Sequence, residues 1–164
     1  MFPIKRYRHR LPYSFESSAG FGFSQKDGKH QSGVDLYCAE NQEIFAIEES
    51  DVVDMFISTG ENAGSSWFNN TYTLLLEGNS GVINYSGIII DQNIKFGKPI
   101  KEGQLIGGVK QIMNGVSVPT LHIELYQNGT QEPIIWHRGE TKPADLIDPS
   151  DMLRYELSKT VFRY

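Results

Sequence analysis

The feature that most limits the fold of this chain is the shortness of its apolar runs and the regularity with which turn residues end them. Lys26-Asp27-Gly28 is a turn signal, and Val34-Asp35-Leu36-Tyr37-Cys38 follows it as a strand. Ala39 to Gln42 reads as a turn, Ile44-Phe45-Ala46-Ile47 as a compact apolar strand, Glu48 to Asp51 as a turn and Val52 to Ile57 as the next strand. Tyr72 to Glu77 and Gly81 to Tyr85 form a hairpin across Gly78-Asn79-Ser80, with Gly87 to Ile90 continuing it. Phe96 to Val109 describes a sharp turn leading into a strand. Leu121 to Tyr126 alternates, with Leu121, Ile123 and Leu125 on one face and His122, Glu124 and Tyr126 on the other. Runs this short, in a chain with 16 glycines, predict an all-β, antiparallel protein. Only near the C-terminus is a helix signalled. Asp148 can cap it, Pro149 suits its first turn and Asp151 adds negative charge there, and it should reach about Ser158.

Length and charge narrow the function. The chain's 164 residues are enough for one ordinary domain with a sizeable core, and no internal repeat or linker divides it, so a single domain over 1–164 is expected. A net charge of −5 argues against nucleic acid as the main partner. The basic cluster Lys5, Arg6, Arg8 and Arg10 is short and mixed with Pro and Tyr, and reads as a solvated arm. No apolar run has the length of a membrane span, and no apolar segment follows the basic N-terminus as in a signal peptide. The expectation is a cytoplasmic protein, or a phage-associated one released by lysis. The lone cysteine, Cys38, excludes an internal disulfide and sits in an apolar strand, where an inert buried thiol is expected.

The densest cluster of chemical groups is Lys29-His30-Gln31-Ser32-Gly33-Val34-Asp35, and its natural partner is Thr120-Leu121-His122-Ile123-Glu124-Leu125. Asp35 and His122 both lie on expected strands that could pair and aim them at one point. A zinc site needs at least three converging N, O or S ligands, with an open position for water if it is catalytic. The third would come from His30 or Gln31. The residues alone leave a plainer alternative open, in which His122 is a polar-face histidine bonded to Glu124 or Asp35. The loop 58–70 has no period and carries Trp67-Phe68. Loops of this length are often functional. Trp67 either lines a groove or pins the loop to the core.

Four motifs in order resemble the lysostaphin-type zinc metallo-endopeptidases. Gln31 to Tyr37, with Gln42 to Ala46, resembles the family's His-x-Gly-x-Asp motif and the strand after it. Gly97 to Gly107 is similar to its Gly-x-x-Val-x-x-Gly-x-x-Ile-Gly hairpin, Leu121 to Leu125 to its His-Leu-His-Phe-Glu motif, and Asp148-Pro149 to its C-terminal Asp-Pro. The resemblance spans about residues 20–153. It implies an antiparallel β-sandwich or barrel-sandwich of the duplicated hybrid motif type, with one short helix and a groove above the Asp35–His122 face. The hairpin segment also resembles lipoyl- and biotin-carrier domains, but it has no lysine in the place they need one.

Carried over by position, the resemblance implies that Asp35 and His122 are metal ligands and that Glu124 is the carboxylate orienting His122. Gln31 occupies the position of the remaining ligand, with His30 one residue early. Thr120 and Gly87 occupy the positions of the family's two assisting histidines. Trp67 and Tyr85 are expected in the groove. A glutamine oxygen is a poor zinc ligand, and no imidazole remains beside the expected water. Two functions follow. One is a peptidase-like domain with an incomplete zinc site, weak or absent zinc and impaired catalysis, binding a peptide, glycan or protein. The other is an active zinc endopeptidase cleaving peptidoglycan peptides, with a local bulge bringing His30 into the site.

Overall fold

A computed structural model describes residues 1–115 and 117–161, the side chain of Val161 excepted. Its strands are β1 (Val34–Tyr37), β2 (Glu43–Phe45), β3 (Ser50–Thr59), β4 (Thr71–Gly78), β5 (Gly81–Ile90), β6 (Leu105–Val109), β7 (Thr120–Tyr126) and β8 (Leu146–Ile147). One helix follows, α1 (Ser150–Val161). Every strand pairing is antiparallel, as expected from the short alternating runs. The main path of the sheet is β1-β7-β5-β4-β3; β6 pairs with β2 and β5, and β8 pairs with β7.

Strand β5 organises this arrangement. Its first half, Val82 to Ser86, pairs with β7, and its last residues, Ile88 to Ile90, pair with β6. The change of partner falls at Gly87, whose φ is 78°. On the other edge Tyr72 and Thr73 of β4 face Ile88 and Ser86, so Gly87 is the extra residue of a β-bulge. Glycine enters this left-handed conformation without steric penalty. The hairpin and the Gly87–Ile90 segment are thus one continuous strand pair, with the turn reduced to Asn79-Ser80 between the paired Gly78 and Gly81.

The core forms where cross-strand partners share a face. Leu74, Tyr85 and Ile123 lie opposite one another across β4, β5 and β7, and so do Leu76, Ile83 and Leu125. All six are buried. Such cross-strand apolar rows are the unit of sheet stabilisation. The alternation along β7 holds, but Glu124 and Tyr126 are buried as well, so its polar face is covered rather than solvated.

The N-terminal residues correct the reading of a free arm. Phe2 and Ile4 join the core, Phe45 donates its backbone N–H to Pro3 O at 2.9 Å, and Lys5 lies over the Phe45 ring. Arg6, Arg8 and Arg10 remain exposed. The segment around Trp136 forms no strand. It is a loop anchored by the buried indole, whose N–H donates to Glu140 O. Helix α1 begins as expected, with Ser150 N–H donating to Asp148 Oδ1 at 2.9 Å, and extends past Ser158 to Val161.

Gly33 precedes β1 where the backbone crosses close over β7. A Cβ there would lie 2.1 Å from Ile123 O, a backbone atom that cannot swing aside. Gly33→Ala should therefore cost roughly 3 kcal/mol, read as a lower urea midpoint with an unchanged m-value. Gly28→Ala should cost only about 1 kcal/mol, because Gly28 has open space and only its φ of 85° is strained.

Candidate functional site

Strand register brings the expected residues together. Asp35 of β1 lies opposite His122 of β7, His122 opposite Ser86 of β5, and Ser86 opposite Thr73 of β4. This polar row crosses four strands on the face away from the Tyr85 core row. Above it opens a cleft of about 560 Å³, lined among others by Gln31, Asp35, Ser86, Gly87, Thr120 and His122. Ser58, Thr59 and Thr71 supply hydroxyls to the same cleft, and Ile112 and Val118 supply apolar surface. The Thr71 hydroxyl is 2.7 Å from that of Thr59 and 3.2 Å from that of Ser58. Asn69 ties the loop after β3 to the loop after β6, through bonds to Gln111 O and Asn114.

Both ring nitrogens of His122 face carboxylates. Nδ1 is 2.6 Å from Asp35 Oδ1 and Nε2 is 3.1 Å from Glu124 Oε1. Only an imidazolium can donate at both nitrogens. Burial opposes that charge, but the hydrogen bonds and charges of Asp35 and Glu124 outweigh it and lift the His122 pKa to about 10. Burial likewise opposes the charge on Glu124, yet bonds from His122, Tyr126 and Asn84 hold its pKa below the usual carboxylate value. Asn84 Nδ2 donates to Glu124 Oε2 at 2.6 Å, and the Tyr126 hydroxyl donates to the same oxygen. Ser86 Oγ donates to Asn84 Oδ1 at 2.7 Å and lies 2.8 Å from Thr73 Oγ1. The network therefore runs from Asp35 on β1 to Thr73 on β4.

Gln31 is buried at the cleft floor. Its backbone N–H donates to Phe23 O and its carbonyl accepts from Gly22 N, both at 2.8 Å. Its Oε1 accepts from Gln25 Nε2 at 2.6 Å, while its own buried Nε2 has no hydrogen-bond partner among the described residues. An unpaired buried donor of this kind costs about 1–3 kcal/mol.

Three expected residues lie elsewhere. His30 is turned away from the cleft: its ring stacks on Trp136 at 4.2 Å, and Nδ1 is 3.1 Å from Gly22 O. No bulge re-aims it, because adjacent residues of an extended segment point to opposite sides. Tyr85 is 1% exposed, and its hydroxyl accepts a bond from Ile47 N–H. It belongs to the core face, and Ser86 takes the place in the cleft. Trp67 is 70% exposed beside Phe68 and is not among the cleft-lining residues. It therefore neither lines the groove nor pins the loop to the core. Burial raises the Cys38 thiol to about 11, and its S–H donates to Leu36 O, in keeping with an inert thiol. Gln25, Thr71 and Asn84 were not anticipated. The period-2 pairing of Asn84 with Glu124 could have pointed to Asn84 once the β5–β7 register was known.

As arranged, these side chains do not fit a zinc ion. Gln31 offers a neutral amide, and both His122 nitrogens are engaged as donors, so neither presents a lone pair. Among the described residues no group of three or more His, Cys, Asp or Glu side chains is placed to hold a metal.

The family model described as Peptidase family M23 matches residues 29–133, which contain every cleft position discussed except Gln25. The chain belongs to peptidase family M23. The solution structure of lysostaphin matches with a TM-score of 0.58 at 20% identity, covering 90% of this chain and 51% of that one. The catalytic domain of lysostaphin from Staphylococcus simulans matches with a TM-score of 0.57 at 21% identity, covering 88% of this chain and 92% of the domain. A zinc-containing peptidase from Vibrio cholerae matches with a TM-score of 0.55 at 18% identity, covering 86% of this chain and 40% of that one. The M23 chain thus spans about half of full-length lysostaphin and nearly all of its catalytic domain. At these identities the likeness establishes the lysostaphin-type all-β fold. No curated protein sequence matches the chain. Among the described residues no helix is long and apolar enough to cross a membrane.

The charged cluster has a defined pH signature. The folded pKa of His122 lies above its ordinary value of 6.5, so its contribution to stability is complete below that value and is lost as pH rises through about 10. The folded pKa of Glu124 lies below 4.5, so its contribution is complete above 4.5 and is lost as pH falls through the folded value. Together they are most stabilising between about pH 4.5 and 6.5. Nitrogen NMR of the His122 ring should show both nitrogens protonated at pH 8, where an unpaired imidazole is neutral. His122→Ala leaves Glu124 charged and buried and should destabilise the fold by about 3 kcal/mol in urea unfolding at pH 6.

Proposed function

We propose that this M23 chain has lost hydrolysis, binds zinc weakly or not at all, and keeps the cleft as a binding site for a peptide, a glycan or a protein. Peptidoglycan peptides are the first candidates, given the family. The observation that carries this reading is the engagement of both His122 nitrogens by Asp35 and Glu124. Hydrolysis of an amide needs an activated water and a base that titrates near neutrality. His122 is held protonated and Glu124 is held ionised well below that range. The family's assisting positions hold Thr120 and Gly87, which cannot exchange protons there. His30 is packed on Trp136, and His9 lies edge-on to Tyr7.

An active zinc endopeptidase is the second reading. It is favoured by the convergence of Gln31, Asp35 and His122 on one cleft, because a zinc ion that displaced the His122 proton would meet an aspartate and an imidazole already side by side.

Metal content separates the two. Protein purified without chelator and then incubated with excess zinc should hold far less than one zinc per chain by elemental analysis. Stoichiometric zinc that is lost in His122→Ala would overturn the first reading. The double variant Gln31→His, Thr120→His should gain zinc affinity by orders of magnitude, because it supplies the missing imidazoles at positions that already line the cleft. Unchanged affinity in that variant would mean that these positions do not correspond to the family's histidines.

A further inference from the structure

We propose that the cleft binds an alkylammonium group, of the kind that ends a lysine side chain, with Asp35 as its carboxylate partner. The inference rests on the reading of the cleft as a binding site and adds the chemistry of the ligand.

The lining side chains offer acceptors and few hydrogens. Thr59 O–H donates to Asn69 O at 2.7 Å, Ser86 O–H to Asn84 Oδ1 at 2.7 Å and Thr120 O–H to Val118 O at 2.9 Å. A hydroxyl has one hydrogen, so these oxygens keep only lone pairs for a ligand. The two His122 N–H groups are likewise given to Asp35 and Glu124. Among the described lining residues there is no lysine or arginine. A carboxylate or phosphate would bring acceptors to acceptors and lose its hydrogen bonds to water, whereas an ammonium brings three donors and no acceptor.

Charge points the same way. Asp35, Glu124 and a protonated His122 sum to one negative charge, and loss of the His122 proton would only add to it. That charge is open to a ligand at Asp35. Its Oδ1 is taken by His122, while its Oδ2 has no hydrogen-bond partner among the described residues and, unlike Gln31 Nε2, is not buried. A cation can meet this oxygen without breaking the bond to His122.

The surroundings fit an ammonium on an alkyl stem. Tyr37 lies two residues after Asp35 on β1, so both side chains project from one face, and both line the cleft. The Tyr37 ring is 44% exposed, and an aromatic ring near a carboxylate suits a cation. Thr120, opposite Tyr37 in register, adds its oxygen lone pairs. Ile112 and Val118, 36% and 59% exposed, offer apolar contact to the methylenes of a lysine stem. An α-amine has no such stem, which favours the lysine side chain as the source.

The test is an NMR titration of the full, nitrogen-15-labelled chain, with chelator present so that no metal takes the place of the cation. The probe is N-acetyl-lysine methylamide, whose only charge is its ammonium. Its Nε-acetylated form, alanine methylamide and N-acetylglucosamine serve as separate probes. The lysine probe should shift the Asp35, Tyr37 and Thr120 backbone amides saturably, and its binding should weaken as salt is raised. Acetylation of the ammonium and Asp35→Asn should each weaken binding about tenfold. Should Asp35→Asn fail to fold, the acetylated probe decides the matter alone. If the acetylated probe binds as the lysine probe does, or Asp35→Asn binds as wild type does, the ammonium contact is wrong and the binding cleft stands. If alanine methylamide binds as tightly as the lysine probe, the lysine side chain is the wrong source. If N-acetylglucosamine alone shifts these amides, the ligand class is wrong. If no probe moves any cleft residue, the binding reading and the ammonium contact both fall.

Discussion

A single protonated imidazole holds the polar floor of this protein together. Glu124 is nearly buried, and a carboxylate in that position must be neutralised and fully hydrogen-bonded. His122, Asn84 and Tyr126 do both. His122 in turn needs the second carboxylate, Asp35, to keep its proton against burial. The result joins β1, β7 and β5 by charge on one face, while the Leu74–Tyr85–Ile123 row joins β4, β5 and β7 by apolar contact on the other. Both carboxylates thus meet on one imidazole.

The backbone beside the cleft is constrained as tightly as its polar floor. The left-handed φ of Gly87 is the bulge that lets β5 leave β7 for β6. A Cβ there would meet Thr120 O at 2.8 Å. A side chain at position 87 would therefore meet strain both from the left-handed φ and from the neighbouring strand. Gln31 differs, because it lines the cleft on backbone that is not left-handed.

The fold was legible in the sequence because its signals are local. Turn residues end each run, alternation from Leu121 to Tyr126 marks a strand, and Asp148-Pro149 starts the helix. The pairing of Asp35 with His122 was also legible, since two strands bearing the matching motifs were expected to meet. The faces of single residues near the site were less so. Tyr85 and Ser86 are adjacent, and a one-residue difference in register exchanges core for cleft. His30 and Gln31 differ in the same way, one stacked on Trp136 and the other on the cleft floor. Trp67 showed an aromatic in a polar loop, a pattern that does not reveal whether the ring turns inward.

The sequence by itself determined the strand order along the chain, the family and the absence of histidine at Gln31, Gly87 and Thr120, because these depend on residue identity and local spacing. Only the tertiary structure decided the state of His122. Whether an imidazole is a ligand, a base or a fixed cation depends on what meets each nitrogen, and its two partners lie on different strands: Asp35 across β1, and Glu124 next along β7 and held in place by Asn84 of β5. The same holds for Gln31, whose amide meets that of Gln25 six residues earlier in the chain. Both are consequences of packing distance, which residue spacing alone does not contain.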